Sequence, residues 1–126
     1  MSRPLEGITV LDLSAGGAAA FATMFLSDCG ARVLRAVRPA APLFRDGGFV
    51  IWDRGKEAVE LDPSTEGGQA ALDRMLAGVD VLVEDFAPSS PLQDLVAYDR
   101  LKALNPRLIA CSITAYGLRG PLRDDP

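Results

Sequence analysis

The sequence of 126 residues contains no histidine. This absence excludes from these residues the catalytic triads and dyads that use an imidazole, and it excludes every histidine-based metal site. Chemistry carried by these residues therefore depends on carboxylates, tyrosine, lysine, arginine or backbone dipoles. We expect no bound metal.

Cysteine is also scarce, and the 13 basic residues are outnumbered by 17 acidic residues. The two cysteines, Cys29 and Cys111, lie in apolar contexts without the spacing of metal ligands, so we expect buried, reduced thiols rather than a disulfide. The net charge of −4 argues against a nucleic-acid partner. Since no apolar run reaches the length of a membrane span and the opening MSRPLEG lacks a signal core, the sequence predicts a cytoplasmic protein without a membrane partner.

The chain does contain one strand–helix–strand pattern around which the rest is organised. Residues 8–13 form a mostly apolar run, typical of a strand covered on both faces. Apolar residues then recur at helical spacing over residues 18–28, and Gly30 suits a left-handed helix end. A second apolar strand occupies residues 33–37. This order is the parallel unit of an open α/β sheet.

The turn between the first strand and the helix is the candidate binding site. Ser14, Ala15 and Gly16 stand between the carboxyl end of a strand and the amino end of a helix, where open sheets bind ligands. Free backbone N–H groups at such a turn favour anions, including phosphates. The alternative is that these small residues only let the helix and the strand pack closely.

The rest of the chain continues the alternation of strands and helices. Residues 39–53 contain prolines and no sustained period, which predicts a loop or lid. A helix capped by Thr65 follows, and Gly67 and Gly68 weaken its start. Further strands are predicted over residues 56–62, 79–83 and 108–113, with a short helix near 98–104. The predicted fold class is α/β, a Rossmann-like open parallel sheet with flanking helices.

The string VLDLSAGGAAAF departs from two nucleotide-binding patterns. It lacks the G-x-G-x-x-G spacing of dinucleotide-binding folds, and no acidic residue ends the second strand. It also resembles the first motif of methyltransferases that use S-adenosylmethionine. Those enzymes generally have a carboxylate at the end of the next strand, where this chain has Val37 and Arg38.

Six segments together resemble the amino-terminal part of family III CoA-transferases, which include formyl-CoA transferase, carnitine CoA-transferase and α-methylacyl-CoA racemase. In family order they are PLEGITVLDLS, FATMFLSDCGARVLR, DRGKEAVELD, VDVLVEDFAP, LKALNPRLIACSITAYG and GPLRDDP. The resemblance implies that residues 1–126 are the amino-terminal, CoA-binding part of a large domain whose Rossmann-like sheet is incomplete here relative to the family.

The resemblance also implies an activity. Family members move CoA between an acyl-CoA and a carboxylic acid through an aspartyl intermediate, and their catalytic aspartate lies beyond the part matched here. The implied partners are acyl-CoA and a carboxylic acid, with CoA as the substrate carrier, and a second copy or a longer chain. Two alternatives stay open: an α-methylacyl-CoA racemase-like enzyme, and a non-catalytic degenerate half or assembly module.

Five residues are implied to contact the nucleotide part of CoA. Arg38 and Lys56 fall where the family carries cations, which suits the phosphates of CoA. Ser14, Ala15 and Gly16 form the turn against which the nucleotide lies. The alternative for the two cations is a solvated surface position.

Three more residues are implied farther along the chain. Asp85 and Phe86 match an Asn-Phe pair that touches CoA, although a carboxylate in place of the amide would repel phosphate. Tyr116 matches an aromatic residue of the acyl pocket, and it is the candidate catalytic residue because its hydroxyl can donate to a thioester oxygen. The alternative for Tyr116 is an ordinary core position.

Overall fold

The computed structural model of the protein describes residues 1–39 and 48–125. The strands are β1 (Thr9–Asp12), β2 (Arg32–Val37), β3 (Glu57–Glu60), β4 (Val81–Glu84) and β5 (Ile109–Ser112). The α-helices are α1 (Gly17–Asp28), α2 (Gly48–Trp52), α3 (Glu66–Leu76) and α4 (Tyr98–Leu104), and a 3₁₀ helix spans Pro91–Val96.

The five described strands form one parallel sheet in the order β3-β2-β1-β4-β5. The chain begins in the middle of the sheet, moves outward to β3, and then crosses over to β4 and β5 on the other side of β1. The direction of winding therefore changes between β1 and β4, where sheets of this kind open a crevice at their carboxyl edge. The predicted α/β class, an open parallel sheet with flanking helices, is confirmed.

The middle of the sheet, at β1 and β4, is covered by apolar side chains on both faces. On one face, Leu11 and Leu82 pack with Leu72 of α3. On the other face, Val10 and Val83 belong to the cluster that includes Ala19 of α1. This two-sided burial explains why β1 and β4 are short apolar runs with little alternation.

Helix α1 buries its small side chains and exposes its aromatic ones. Ala19 and Ala20 are buried, whereas Phe21 and Phe25 are exposed and pack edge to face with ring centroids 4.8 Å apart. The predicted helix is confirmed, and it approaches the sheet closely because alanines face the strands.

Three local expectations have clear outcomes. Thr65 caps α3 as predicted, since its hydroxyl accepts from the Gly68 N–H at 3.0 Å. Both cysteines are free thiols, but the expectation of burial is wrong: Cys29 ends α1 at the surface, and Cys111 lies on the exposed edge strand β5. Helix α2 lies within the predicted loop of residues 39–53, of which residues 40–47 are outside the described residues.

Within residues 1–39 and 48–125, no helix combines the length and the apolar character that crossing a bilayer requires.

Candidate functional site

A cavity of 340 Å³ opens at the carboxyl edge of the sheet. It is lined by residues 13–15 after β1, residues 35–38 at the end of β2, and Leu61, Pro63, Phe86 and Leu92. Most of these side chains are apolar, and the charged groups among them are two arginines. The cavity therefore suits an uncharged ring that carries an anionic group.

The structure brings four of the predicted residues together in this cavity. Ser14 and Ala15 follow β1, Phe86 lies on the segment after β4, and Arg38 follows the end of β2. They meet because the carboxyl ends of parallel neighbouring strands share one edge of the sheet.

Aspartate side chains of the protein itself accept hydrogen bonds from the backbone N–H groups of the turn before α1. The Ser14 N–H donates to Asp12 Oδ1 at 2.9 Å. The N–H groups of Ala15 and Gly16 donate to the two oxygens of Asp85, at 2.7 and 2.6 Å. The N–H groups of Ala15 and Gly16 are thus not free, contrary to the expectation from sequence. The positive end of the α1 dipole stabilises the Asp85 carboxylate there.

Lys56 lies in a buried charge cluster and does not line the cavity. Its side chain is 1% exposed, and Nζ lies 2.9 Å from Oδ2 of the fully buried Asp12. The Ala20 carbonyl accepts a further hydrogen bond from Nζ at 3.0 Å. The Thr23 hydroxyl donates to Asp12 Oδ2 at 2.6 Å. Lys56 therefore joins the end of β1 to α1.

A second ion pair links this cluster to the cavity wall. Arg35 Nη1 lies 2.8 Å from Asp53 Oδ2, and Lys56 Nζ lies 3.4 Å from the other oxygen of Asp53. Arg35 also lines the cavity. Two cations and two carboxylates thus balance each other behind the cavity, as buried charges require.

Sequence reasoning missed this cluster. The sequence shows Asp12 only as one residue of the mostly apolar run 8–13, and in the structure it is the last residue of β1. The available signal was an aspartate inside an apolar strand, because a buried carboxylate needs a cation or several hydrogen-bond donors. The sequence could not identify Lys56 as that cation, since 44 positions separate the two residues.

Arg38 lies at the rim of the cavity, where it is exposed. Asp62 is its carboxylate neighbour. Hydrogen bonds from the Ser64 hydroxyl and N–H lower the pKa of Asp62, and the positive charge of Arg38 lowers this pKa further. Asp62 is therefore ionised at neutral pH and offsets part of the positive charge at the rim.

Tyr116 lies apart from this cavity. It follows β5 and is 55% exposed, so the core alternative does not describe it. Its neighbours Thr114 and Ala115 line a second cavity of 240 Å³. Asp85 and Phe86 line this second cavity too, so the segment after β4 separates the two cavities.

Comparison with known proteins gives one consistent family. The family model described as CoA-transferase family III matches residues 5–126. Succinyl-CoA:glutarate CoA-transferase of Mus musculus is 33% identical over 131 residues, covering 95% of this chain and 30% of that protein. Succinyl-CoA–D-citramalate CoA-transferase of Chloroflexus aurantiacus is 33% identical over 133 residues, covering 97% and 33%. The chain spans about a third of the length of these curated relatives.

Solved structures with about the same sequence identity to this chain have a similar fold. A hypothetical protein from Mycobacterium tuberculosis superposes with a TM-score of 0.86 at 32% identity, covering 98% of this chain and 37% of that chain. A CAIB/BAIF family protein from Brucella suis gives a TM-score of 0.84 at 32% identity, covering 99% and 37%.

Proposed function

Because the chain belongs to CoA-transferase family III, we propose that residues 1–126 form the amino-terminal, CoA-binding part of a larger domain. The full enzyme would move CoA between an acyl-CoA and a carboxylic acid. The two curated relatives above carry names of CoA-transferases that act with succinyl-CoA and a dicarboxylic acid, which favours transfer over racemisation.

The observation that carries this proposal is the cavity at the carboxyl edge of the sheet. Its volume of 340 Å³ suits a nucleoside-sized part of a ligand, and its apolar walls suit an adenine ring. Arg38 at the rim supplies a planar, permanently charged partner for a phosphate of the same ligand. Ser14, Ala15 and Phe86 would contact the ring or the ribose.

Lys56 has a different part in the proposed site. Its ammonium already contacts Asp12, Asp53 and the Ala20 carbonyl, so it would hold the cavity wall in place rather than bind a phosphate directly. Gly16 would also hold the site in place rather than bind a phosphate through its N–H, because that N–H already donates to Asp85.

The covalent chemistry would use residues outside the cavity. No carboxylate occurs among the described residues that line it, so the aspartate nucleophile would come from elsewhere in the enzyme. That carboxylate would attack the thioester carbonyl and expel the CoA thiolate, which leaves a mixed anhydride between the aspartate and the acyl group. The thiolate would then attack the aspartyl carbonyl of this anhydride, release the acyl group as a free carboxylate and form an aspartyl-CoA thioester. Tyr116, exposed beside the second cavity, would donate its hydroxyl to the thioester oxygen.

Replacing Arg38 by alanine tests the proposed CoA site. We expect Arg38→Ala to weaken CoA binding about tenfold, since the loss of one hydrogen bond to a charged group has about this effect. Calorimetry measures the affinity.

The matched control is Arg32→Ala. Arg32 is an exposed cation at the other end of the same strand, where it pairs with Glu57. We expect this variant to bind CoA as the unmodified chain does. Equal affinity of the Arg38 and Arg32 variants would contradict the role of Arg38, and absence of binding at high CoA concentration would contradict the site as a whole.

We also propose that the β5 edge of the sheet is an association surface, used by a second copy or by a longer chain. All four residues of β5 are exposed, and Ile109 is 65% exposed. The opposite edge, β3, carries the charged residues Glu57 and Glu60, which oppose edge pairing. We expect size-exclusion chromatography with light scattering to show a species larger than the monomer. A single monomeric peak would contradict this proposal.

A further inference from the structure

Asp85 makes two short hydrogen bonds with the backbone of the candidate site. Both of its oxygens accept from consecutive N–H groups, those of Ala15 and Gly16, at 2.7 and 2.6 Å. The carboxylate lies directly against the backbone: a Cβ added to Gly16 would be 2.9 Å from Asp85 Oδ2. Asp85 thus has the position that a bound anion would take at this turn.

The surroundings keep this carboxylate in place. Gly16 is the N-cap residue of α1 and has no side chain that could accept a hydrogen bond. Asp85 accepts from the N–H groups of Gly16 and of Ala15 before it, so it fixes the turn directly before the first helical residue. Its acidic neighbour across the turn, Asp12, is balanced by Lys56. Glu84, the acidic residue next to Asp85, is buried and accepts a hydrogen bond from the Phe86 N–H at 2.7 Å. The positive end of α1 acts on the Asp85 carboxylate.

We propose that Asp85 is a specificity-determining residue that excludes phosphate from the amino end of α1. A phosphate at this position would have to displace the Asp85 carboxylate or lie against its negative charge. As a consequence, the phosphates of a ligand in the 340 Å³ cavity are confined to the rim at Arg38. This consequence rests on the proposed function, whereas the exclusion of phosphate by Asp85 does not.

The first experiment uses inorganic pyrophosphate and needs no assumption about CoA. Asp85→Asn keeps the shape of the side chain, removes its charge and leaves only one acceptor oxygen for the two N–H groups. We expect this variant to bind pyrophosphate about tenfold more tightly than the unmodified chain, since it gains a charge-assisted hydrogen bond and loses a repulsion. Calorimetry at low ionic strength measures the affinities.

The matched control is Asp80→Asn. Asp80 Oδ2 also accepts from a backbone N–H, that of Thr9 at 2.8 Å, but at the opposite edge of the sheet. The control therefore makes the same change in charge and in type of contact far from the cavity. We expect it to bind pyrophosphate no better than the unmodified chain. Equal affinity of the Asp85 and Asp80 variants, or no binding by the Asp85 variant, would overturn the proposal.

The second experiment compares CoA with adenosine, which has no phosphate. We expect Asp85→Asn to bind CoA about tenfold more tightly and adenosine with unchanged affinity, because only the phosphates meet Asp85. Equal gains for both ligands would overturn the proposal, since they would indicate a change in cavity shape. If the unmodified chain binds neither ligand, the proposed function fails, and the pyrophosphate experiment still decides the role of Asp85.

Asp85→Ala provides a second variant for both experiments. It removes both acceptor oxygens, so we expect an equal or larger gain in pyrophosphate affinity than for Asp85→Asn. Circular dichroism checks that each variant is folded. A folded Asp85→Ala variant that does not bind pyrophosphate would overturn the proposal.

Discussion

Replacing Lys56 by methionine is expected to lower the free energy of unfolding by about 3–5 kcal/mol, because it leaves a buried carboxylate without its cation. The side chain of Asp12 is fully buried, and Lys56 Nζ is 2.9 Å from it. The remaining donors to Asp12, the Thr23 hydroxyl and the Ser14 N–H, are neutral. Since domains of this kind unfold at a cost of about 5–15 kcal/mol, much of the stability would be lost. Urea unfolding followed by circular dichroism measures the change.

A control variant tests whether the expected loss of stability comes from the burial of the ion pair or from the removal of a cation alone. Arg54→Met removes a cation close to Lys56 along the chain, but the Arg54–Asp28 pair is exposed. We expect the free energy of unfolding to stay nearly unchanged in this variant, because solvent screens exposed pairs. The pair lowers the pKa of Asp28 through a hydrogen bond from Arg54, yet water solvates this carboxylate well when the arginine is absent.

A double variant makes the test robust if Lys56→Met does not fold. Adding Asp12→Asn removes the charge that lacks a partner, so we expect the double variant to recover part of the lost stability. Soluble yield and unfolding midpoint both report this recovery. A Lys56→Met variant as stable as Arg54→Met would contradict the assignment of the buried pair, and so would a double variant whose losses simply add.

Replacing Gly68 by alanine is expected to lower the free energy of unfolding by about 3 kcal/mol, as overpacking and a lost helix cap together predict. A Cβ at this position would lie 1.7 Å from the backbone oxygen of Asp62 and 2.9 Å from Thr65 Oγ1. The start of α3 would have to move. That movement would break the hydrogen bond between the Gly68 N–H and the Thr65 hydroxyl. Thermal and urea unfolding measure the loss.

The neighbouring residue Gly67 provides the matched control. A Cβ at Gly67 meets no atom within 4 Å. We therefore expect Gly67→Ala to stabilise the protein by about 0.5–1 kcal/mol, since alanine loses less backbone entropy than glycine in a helix. If the two alanine variants have the same stability, the close approach of Asp62 to Gly68 is not present in solution.

These two glycines show where sequence reasoning stops. The sequence treats Gly67 and Gly68 alike, as residues that weaken the start of a helix, and it also finds the Thr65 cap correctly from local chemistry. Only the folded chain distinguishes them, because the preceding turn brings the Asp62 carbonyl against one glycine and leaves the other open.

In the candidate site, too, some features follow from the sequence and others only from the folded chain. The sequence predicts the turn of Ser14 and Ala15, the segment at Phe86 and the cation Arg38 as candidate site residues, and in the structure they line one cavity. The internal partners were not identified. Asp85 is 70 positions from Ala15, so that contact depends on the order of strands in the sheet.

By itself, the sequence determined the alternation of strands and helices and the parallel sheet, and it predicted a candidate binding site at the carboxyl edge of that sheet. Apolar runs, helical spacing and cap residues are local properties, and they act over a few neighbouring positions. The tertiary structure alone decided which charges are available to a ligand. It placed β4 beside β1, which brought Asp85 to the start of α1, and it buried Lys56 against Asp12. The pairing of charges depends on distances between chain segments that are far apart in sequence, and only folding sets those distances.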